Sequence, residues 1–242
     1  SPILLEGSRG VGKSFLLRVA EHKLIESIDD KKNLPVHVQL DRSILINTSD
    51  NNQFYKWILA RLSKSIIRAL RKNGFAAYVD QQISIIAGGS RAEEGSPIDQ
   101  IINRFETSYE NPGREVNTTS IPSIYDFKNS IEDICEIANI KRINIFFDEA
   151  AHVLQPEYQR QFFTIFRDLR SPYISCNAAV YPGITSYGET FERAHDANTA
   201  RVERNLHASG YISQMKDIVI AQADSSTIKD LQKRPDEFAG LA

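Results

Sequence analysis

The stretch that decides the fold is Pro2-Ile3-Leu4-Leu5-Glu6 followed at once by Gly7-Ser8-Arg9-Gly10-Val11-Gly12-Lys13-Ser14. Ile3, Leu4 and Leu5 form a continuous apolar run, the pattern of a strand buried on both faces of a parallel sheet. The segment from Gly7 to Ser14 fits G-x-x-x-x-G-K-[ST] at every defined position. Its glycines let the backbone curl so that successive N–H groups point at an anion, and the helix opening at Lys13 adds the positive end of its dipole. Apolar residues then recur at Leu16, Leu17, Ala20, Leu24 and Ile28, which predicts a helix ending around Asp29-Asp30-Lys31-Lys32. At ordinary glycine usage of about 7%, a chance match in a chain of this size is on the order of one in a hundred. The strand before the turn and the helix after it lower those odds further.

A turn of this kind binds the phosphates of a nucleotide. The candidate contacts are Gly7, Ser8, Arg9, Gly10, Val11, Gly12, Lys13, Ser14 and Phe15. Lys13 is placed to bridge the β- and γ-phosphates, and the Ser14 hydroxyl to ligate magnesium. The second chemical element is Asp148-Glu149, closing the apolar run Ile143 to Phe147 (INIFF). A phosphate turn needs a carboxylate at the tip of a neighbouring strand to hold the metal through its water shell, and Asp148 fits that role. Glu149 is the candidate base that orients and deprotonates an attacking water, which favours hydrolysis over transfer to an acceptor.

Outward from these motifs, Pro35 to Leu40 reads as a second strand and Ile174 to Tyr181 as a fourth, with a fifth expected at Asp217 to Ala221 (DIVIA). Asn51 to Asn73 is one long amphipathic helix with Phe54, Ile58, Leu62, Ile66 and Leu70 on one face. Its other face carries Arg61, Lys64, Arg68, Arg71 and Lys72, a basic stripe that is either a solvated face or a track for a phosphate backbone. Residues 43–140 read as a helical insertion in a single domain spanning 1–242. Within it the segment 74–123 is punctuated by Gly88-Gly89-Ser90, Gly95-Ser96-Pro97 and Asn111-Pro112-Gly113 and reads as irregular, with a short helix near Ile98 to Phe105. Ser123 and Asp126 resemble a capping box ahead of a helix marked by Phe127, Ile131 and Ile134. Pro156 opens another, with Phe162, Phe163, Phe166 and Leu169 facing inward.

Composition narrows the class without naming a partner. The chain has 242 residues, 41% of them hydrophobic, and a net charge of -2, which is enough for one sizeable core and too balanced for a global nucleic-acid footprint. No run approaches the roughly 18 apolar residues of a membrane span, and no signal peptide is visible, so a cytoplasmic protein is expected. Cys135 and Cys176, far apart in apolar stretches, read as reduced core thiols. His152, His195 and His207 stand at no metal-ligand spacing. Trp57 reads as a core anchor. The chain lacks an initiator Met and opens directly on a strand, which suggests a segment of a longer polypeptide with flanking domains on either side.

The loop, the apolar strand ending in Asp148-Glu149 and the polar-tipped strand that follows resemble the P-loop ATPases with an added catalytic glutamate, over most of the chain. The string FFDEAAHVL (146–154), then a helix, then AAVYPGITSYG (178–188), is similar to the AAA+ and origin-recognition-type (ORC/STAND-like) ATPases rather than to kinases or GTPases. The resemblance implies a three-layer α/β sandwich with a central parallel sheet in the order 5-1-4-3-2 and the nucleotide at its C-terminal edge. It also implies ATP and magnesium as cofactors. It further implies a polar γ-phosphate sensor after the fourth strand, best matched by Thr185 with Ser186 and Asn177 as rivals, and an arginine finger among Arg193, Arg201 and Arg204 or supplied in trans. No helical lid with its sensor arginine and no winged-helix domain can be recognised. The expectation is an ATP-hydrolysing motor or switch within a DNA-linked or antiviral-defence assembly, its partners being flanking domains, further copies of the chain, or DNA. The alternative is a nucleotide-gated oligomerisation scaffold with little or no turnover. A small-molecule kinase ranks third, since no acceptor pocket is recognisable.

Overall fold

Five parallel strands form the frame: β1 (Ile3–Glu6), β2 (Asn33–Gln39), β3 (Arg142–Asp148), β4 (Ile174–Val180) and β5 (Asn198–Arg201). Their order across the sheet is β2-β3-β4-β1-β5, which counted from the β5 edge is 5-1-4-3-2. The computed structural model describes residues 2–40, 51–89, 96–108, 116–150 and 155–202, together with 210, 213 and 217. The chain divides into two compact units, Ser1–Val202 and Glu203–Ala242, and the sheet belongs to the first. Among the described residues no helix is long and apolar enough to cross a membrane.

Strand periodicity sends alternate side chains to opposite faces, and both faces are covered. On one side Leu5, Phe146 and Ala179 pack against Leu17, Ala20 and Leu24 of α1 (Lys13–Glu26). On the other side Leu4, Val36, Ile145, Phe147 and Ala178 join a larger core with α3 (Asn51–Lys72) and α7 (Pro156–Asp168). That core is rich in rings: Phe147 meets Phe162 edge-on at 5.0 Å, and Phe54 stacks on Tyr158 at 4.4 Å. A short helix, α2 (Ile28–Lys31), leads from α1 into β2. The apolar series of α1 is only partly inward. Leu17 is buried, but Leu16 is 41% exposed and Phe15 70% exposed, because the sheet face beneath α1 accepts one stripe of side chains and these two residues fall outside it.

Among the described residues, the segment between β2 and β3 carries the helices expected near Ile98 to Phe105 and after Ser123, and adds a 3-10 turn and a short helix that its turn residues do not announce. It holds a 3-10 turn (Ala76–Tyr78), α4 (Asp80–Ile86), α5 (Pro97–Glu106) and α6 (Ile124–Ile137). Val79, Ile83, Ile98, Ile102 and Phe105 are buried in the main core, so this region builds the domain and does not merely decorate it. The fifth strand also differs from expectation. Asn198–Arg201, polar and exposed along its length, pairs with β1, whereas Asp217 is helical and 218–221 lie outside the described residues. An edge strand of this kind carries no apolar run to announce it, and a short apolar run such as DIVIA does not distinguish strand from helix. A further short helix, α8 (Arg193–Asp196), precedes β5.

Candidate nucleotide site

The parallel register brings the C-terminal ends of β1, β3 and β4 to one edge, where loops of open α/β sheets collect ligands. A cavity of about 200 Å³ opens there, lined by Gly10, Gly12, Lys13, Ser14, Asp148, Glu149, Ala179 and Tyr181. Residues 134 positions apart in sequence thus meet: the Ser14 hydroxyl donates to Asp148 Oδ1 at 2.9 Å. Asp148 Oδ1 also accepts from the Glu149 backbone N–H at 3.0 Å.

Glycine is required in this loop for two different reasons. Gly10 (φ 84°) and Gly12 (φ 93°) sit in the left-handed region, and a Cβ on either would meet nothing within 4 Å, leaving an open cradle of backbone. At Gly7 the limit is space, since a Cβ would lie 2.4 Å from the Val202 carbonyl oxygen. Gly12 caps α1 without a side-chain bond, so the helix's first N–H groups remain available to an anion.

Lys13 is buried at the heart of the loop. Its Nζ donates to the carbonyls of Gly7 at 2.7 Å and Ser8 at 2.8 Å and sits 4.0 Å from the centroid of the Tyr181 ring. Burial pulls its pKa below the ordinary lysine value, and Asp148 pulls it partly back. The ammonium therefore satisfies itself on loop carbonyls, with the aromatic face as a further partner. Glu149 follows β3 directly in the left-handed region, at φ 59°, a conformation that costs a non-glycine residue energy and recurs at functional sites. Among the described residues no three His, Cys, Asp or Glu side chains converge as a metal cage. One hydroxyl and one carboxylate suit magnesium, which keeps several waters and takes phosphate oxygens for the rest of its shell.

Of the other sequence candidates, Phe15 is exposed and outside the cavity lining. Thr185 is engaged in a turn, its hydroxyl donating to the Tyr181 carbonyl at 2.7 Å and accepting from the Tyr181 N–H at 3.1 Å. Asn177 is buried and donates to the Ile145 carbonyl, and Ser186 is held by Gln159 and Arg160. The residue after β4 that does reach the cavity is Tyr181. Arg193 and Arg201 both pair with the buried Glu6, at 2.8 and 3.3 Å, which ties α8 and β5 to the end of β1. Arg204 lies outside the described residues, as do His152 and His207; His195 is an exposed neighbour of Glu192.

His37, which the sequence does not single out, stands behind the site. Its side chain is only 6% exposed, with Nδ1 3.5 Å from Glu21 and Nε2 3.9 Å from Asp148, and neither nitrogen is hydrogen-bonded among the described residues. Burial, then the neighbouring Arg18, lower its pKa against the opposing pull of Glu21 and Asp148. Its strand position, facing α1 between two buried valines, was the only available signal. No protein-family model matches this chain, and no curated protein shows significant similarity to it.

Proposed function

We propose that this chain binds ATP with magnesium at the Gly7 to Ser14 loop and hydrolyses it, as a P-loop ATPase module. The observation that carries the reading is the hydrogen bond from Ser14 to Asp148 beside Lys13 and Glu149, in a cavity walled by left-handed glycines. Loop N–H groups and the α1 N-terminus bind the phosphates, and Lys13 exchanges its loop carbonyls for phosphate oxygens. Ser14 and Asp148 would hold magnesium, which when bound neutralises charge on the β- and γ-phosphates. Glu149 accepts a proton from water as the water oxygen bonds to the γ-phosphorus. The bond from that phosphorus to the bridging oxygen breaks, and ADP leaves with the electron pair. Tyr181 packs against Lys13 and keeps bulk water from one side of it. The wider reading, a motor or switch in a DNA-linked or antiviral-defence assembly, rests on the family resemblance alone.

The test is phosphate release from ATP, with and without magnesium and DNA. Lys13→Ala is expected to lose both ATP binding and turnover. Glu149→Gln keeps binding and loses turnover by about a hundredfold or more, the usual contribution of a general base. Tight ATP binding without turnover in the unmodified protein would instead favour the nucleotide-gated scaffold, and equal turnover in Glu149→Gln would remove Glu149 from the chemistry.

A further inference from the structure

A second, larger cavity of about 350 Å³ lies between α1, the edge strand β2 and α3, within the size range of small-molecule sites (about 300–1,000 Å³). Its lining includes Arg61, Lys64, Arg68 and Lys72 of α3 and Arg18 of α1, with Glu21 as the one lining carboxylate. Helical spacing puts the four α3 cations on one face, where Lys64, Arg68 and Lys72 repel each other as like charges at successive i, i+4 positions. Three of the five cations are paired: Arg18 with Glu21 at 3.0 Å, Arg61 with Glu106 at 3.4 Å, and Lys64 with Asp99. Arg68 and Lys72 have no ion-pair or hydrogen-bond partner among the described residues, so five cations less three carboxylates leave two positive charges.

We propose that this cavity binds the terminal phosphate of a small phosphate monoester, with Arg68 and Lys72 as its principal contacts. The surplus of two charges matches the roughly -1.5 to -2 of a monoester near neutral pH. A nucleic-acid backbone fits less well. Its diesters carry one charge each and need an extended track, whereas these cations converge on one concavity from two helices, and Arg71, which would continue a track, is not part of the lining. Lys and Arg together supply both a point charge and a planar fork for phosphate oxygens.

Isothermal titration with inorganic phosphate and then glycerol phosphate, at low and moderate salt, tests the site on the full chain. Arg68 and Lys72 are exposed and have no partner among the described residues, so Arg68→Gln/Lys72→Gln is expected to fold normally and, combined with Lys13→Ala so that the nucleotide loop does not contribute, to lose at least tenfold in phosphate affinity relative to Lys13→Ala alone. Lys13→Ala, which disables the nucleotide loop, is expected to retain this binding. Phosphate binding lost in Lys13→Ala and retained in the double variant would place it all on the nucleotide loop and overturn the proposal, as would no binding in any protein. Equal binding of oligonucleotides with and without a terminal phosphate, lost in the double variant, would assign the face to a nucleic-acid backbone and overturn it too. ATP titrated into the same proteins keeps the two questions apart, since failure to bind ATP would sink the ATPase reading and leave this cavity untouched.

Discussion

At the scale of single residues, Glu149 sets local comfort against position. A left-handed backbone costs an ordinary L-residue about 1–2 kcal/mol, and glycine escapes that cost. Glu149 sits there nonetheless, where the end of β3 turns its side chain to the cavity wall beside Asp148. Glu149→Gly is therefore expected to be more stable than Glu149→Ala by about 1 kcal/mol in urea unfolding, with both variants inactive. Equal stabilities would mean that the turn relaxes and stores no strain. That the Gly7 to Ser14 loop and the two acids after β3 are candidates for one site could be read directly because each belongs to a short motif, and they do line one cavity. Tyr181 and His37 could not, since their roles arise from strands separated by more than a hundred residues in sequence. Tyr181 meets Lys13 only because β4 lies beside β1, and His37 meets Asp148 only because β2 lies beside β3.

At the scale of elements, legibility followed length and burial. In α3, Phe54, Ile58, Leu62, Ile66 and Leu70 recur over a long helix, and all five are fully buried. The short α4 spans too little chain to display a helical period, and β5 has no apolar face to display. Two helix starts, by contrast, were written locally. The Ser123 hydroxyl accepts from the Asp126 N–H at 3.1 Å and donates to its carboxylate at 2.7 Å, and Ser96 with Asp99 repeats the arrangement at α5. Ser123 is exposed, so its substitution changes the cap with little loss of packing. Ser123→Ala is expected to cost about 1 kcal/mol of unfolding free energy and Ser123→Gly only a few tenths, read from urea midpoints at unchanged m-value. Matching costs for the two would point to side-chain contacts and away from the cap.

For the whole molecule, burial of ionisable groups makes stability depend on pH in a direction that can be worked out. Burial pushes the Cys135 thiol from 9.0 up to about 12, and Cys176, deeper in the sheet, is pushed up as well. Above pH 9 the unfolded chain releases these protons while the folded chain keeps them, so stability falls as pH rises, by at most about 1.4 kcal/mol per pH unit for each thiol. Lys13 acts in the opposite sense. Its folded pKa is lowered, so folding releases a proton that the unfolded lysine still binds, and this contribution grows as pH rises toward 10.5. Tyr55, Tyr181 and Tyr187, all raised by burial, add to the loss as the unfolded tyrosines ionise around pH 10. Between pH 8.5 and 10 two thiols therefore outweigh one lysine, and the urea midpoint of the unmodified chain is expected to decline. In Cys135→Ala/Cys176→Ala the protein is weaker at every pH because two core side chains are shortened, but its midpoint declines less steeply over the same interval. An unchanged slope in that variant would mean that the thiols titrate normally and that the core around β4 and α6 admits solvent.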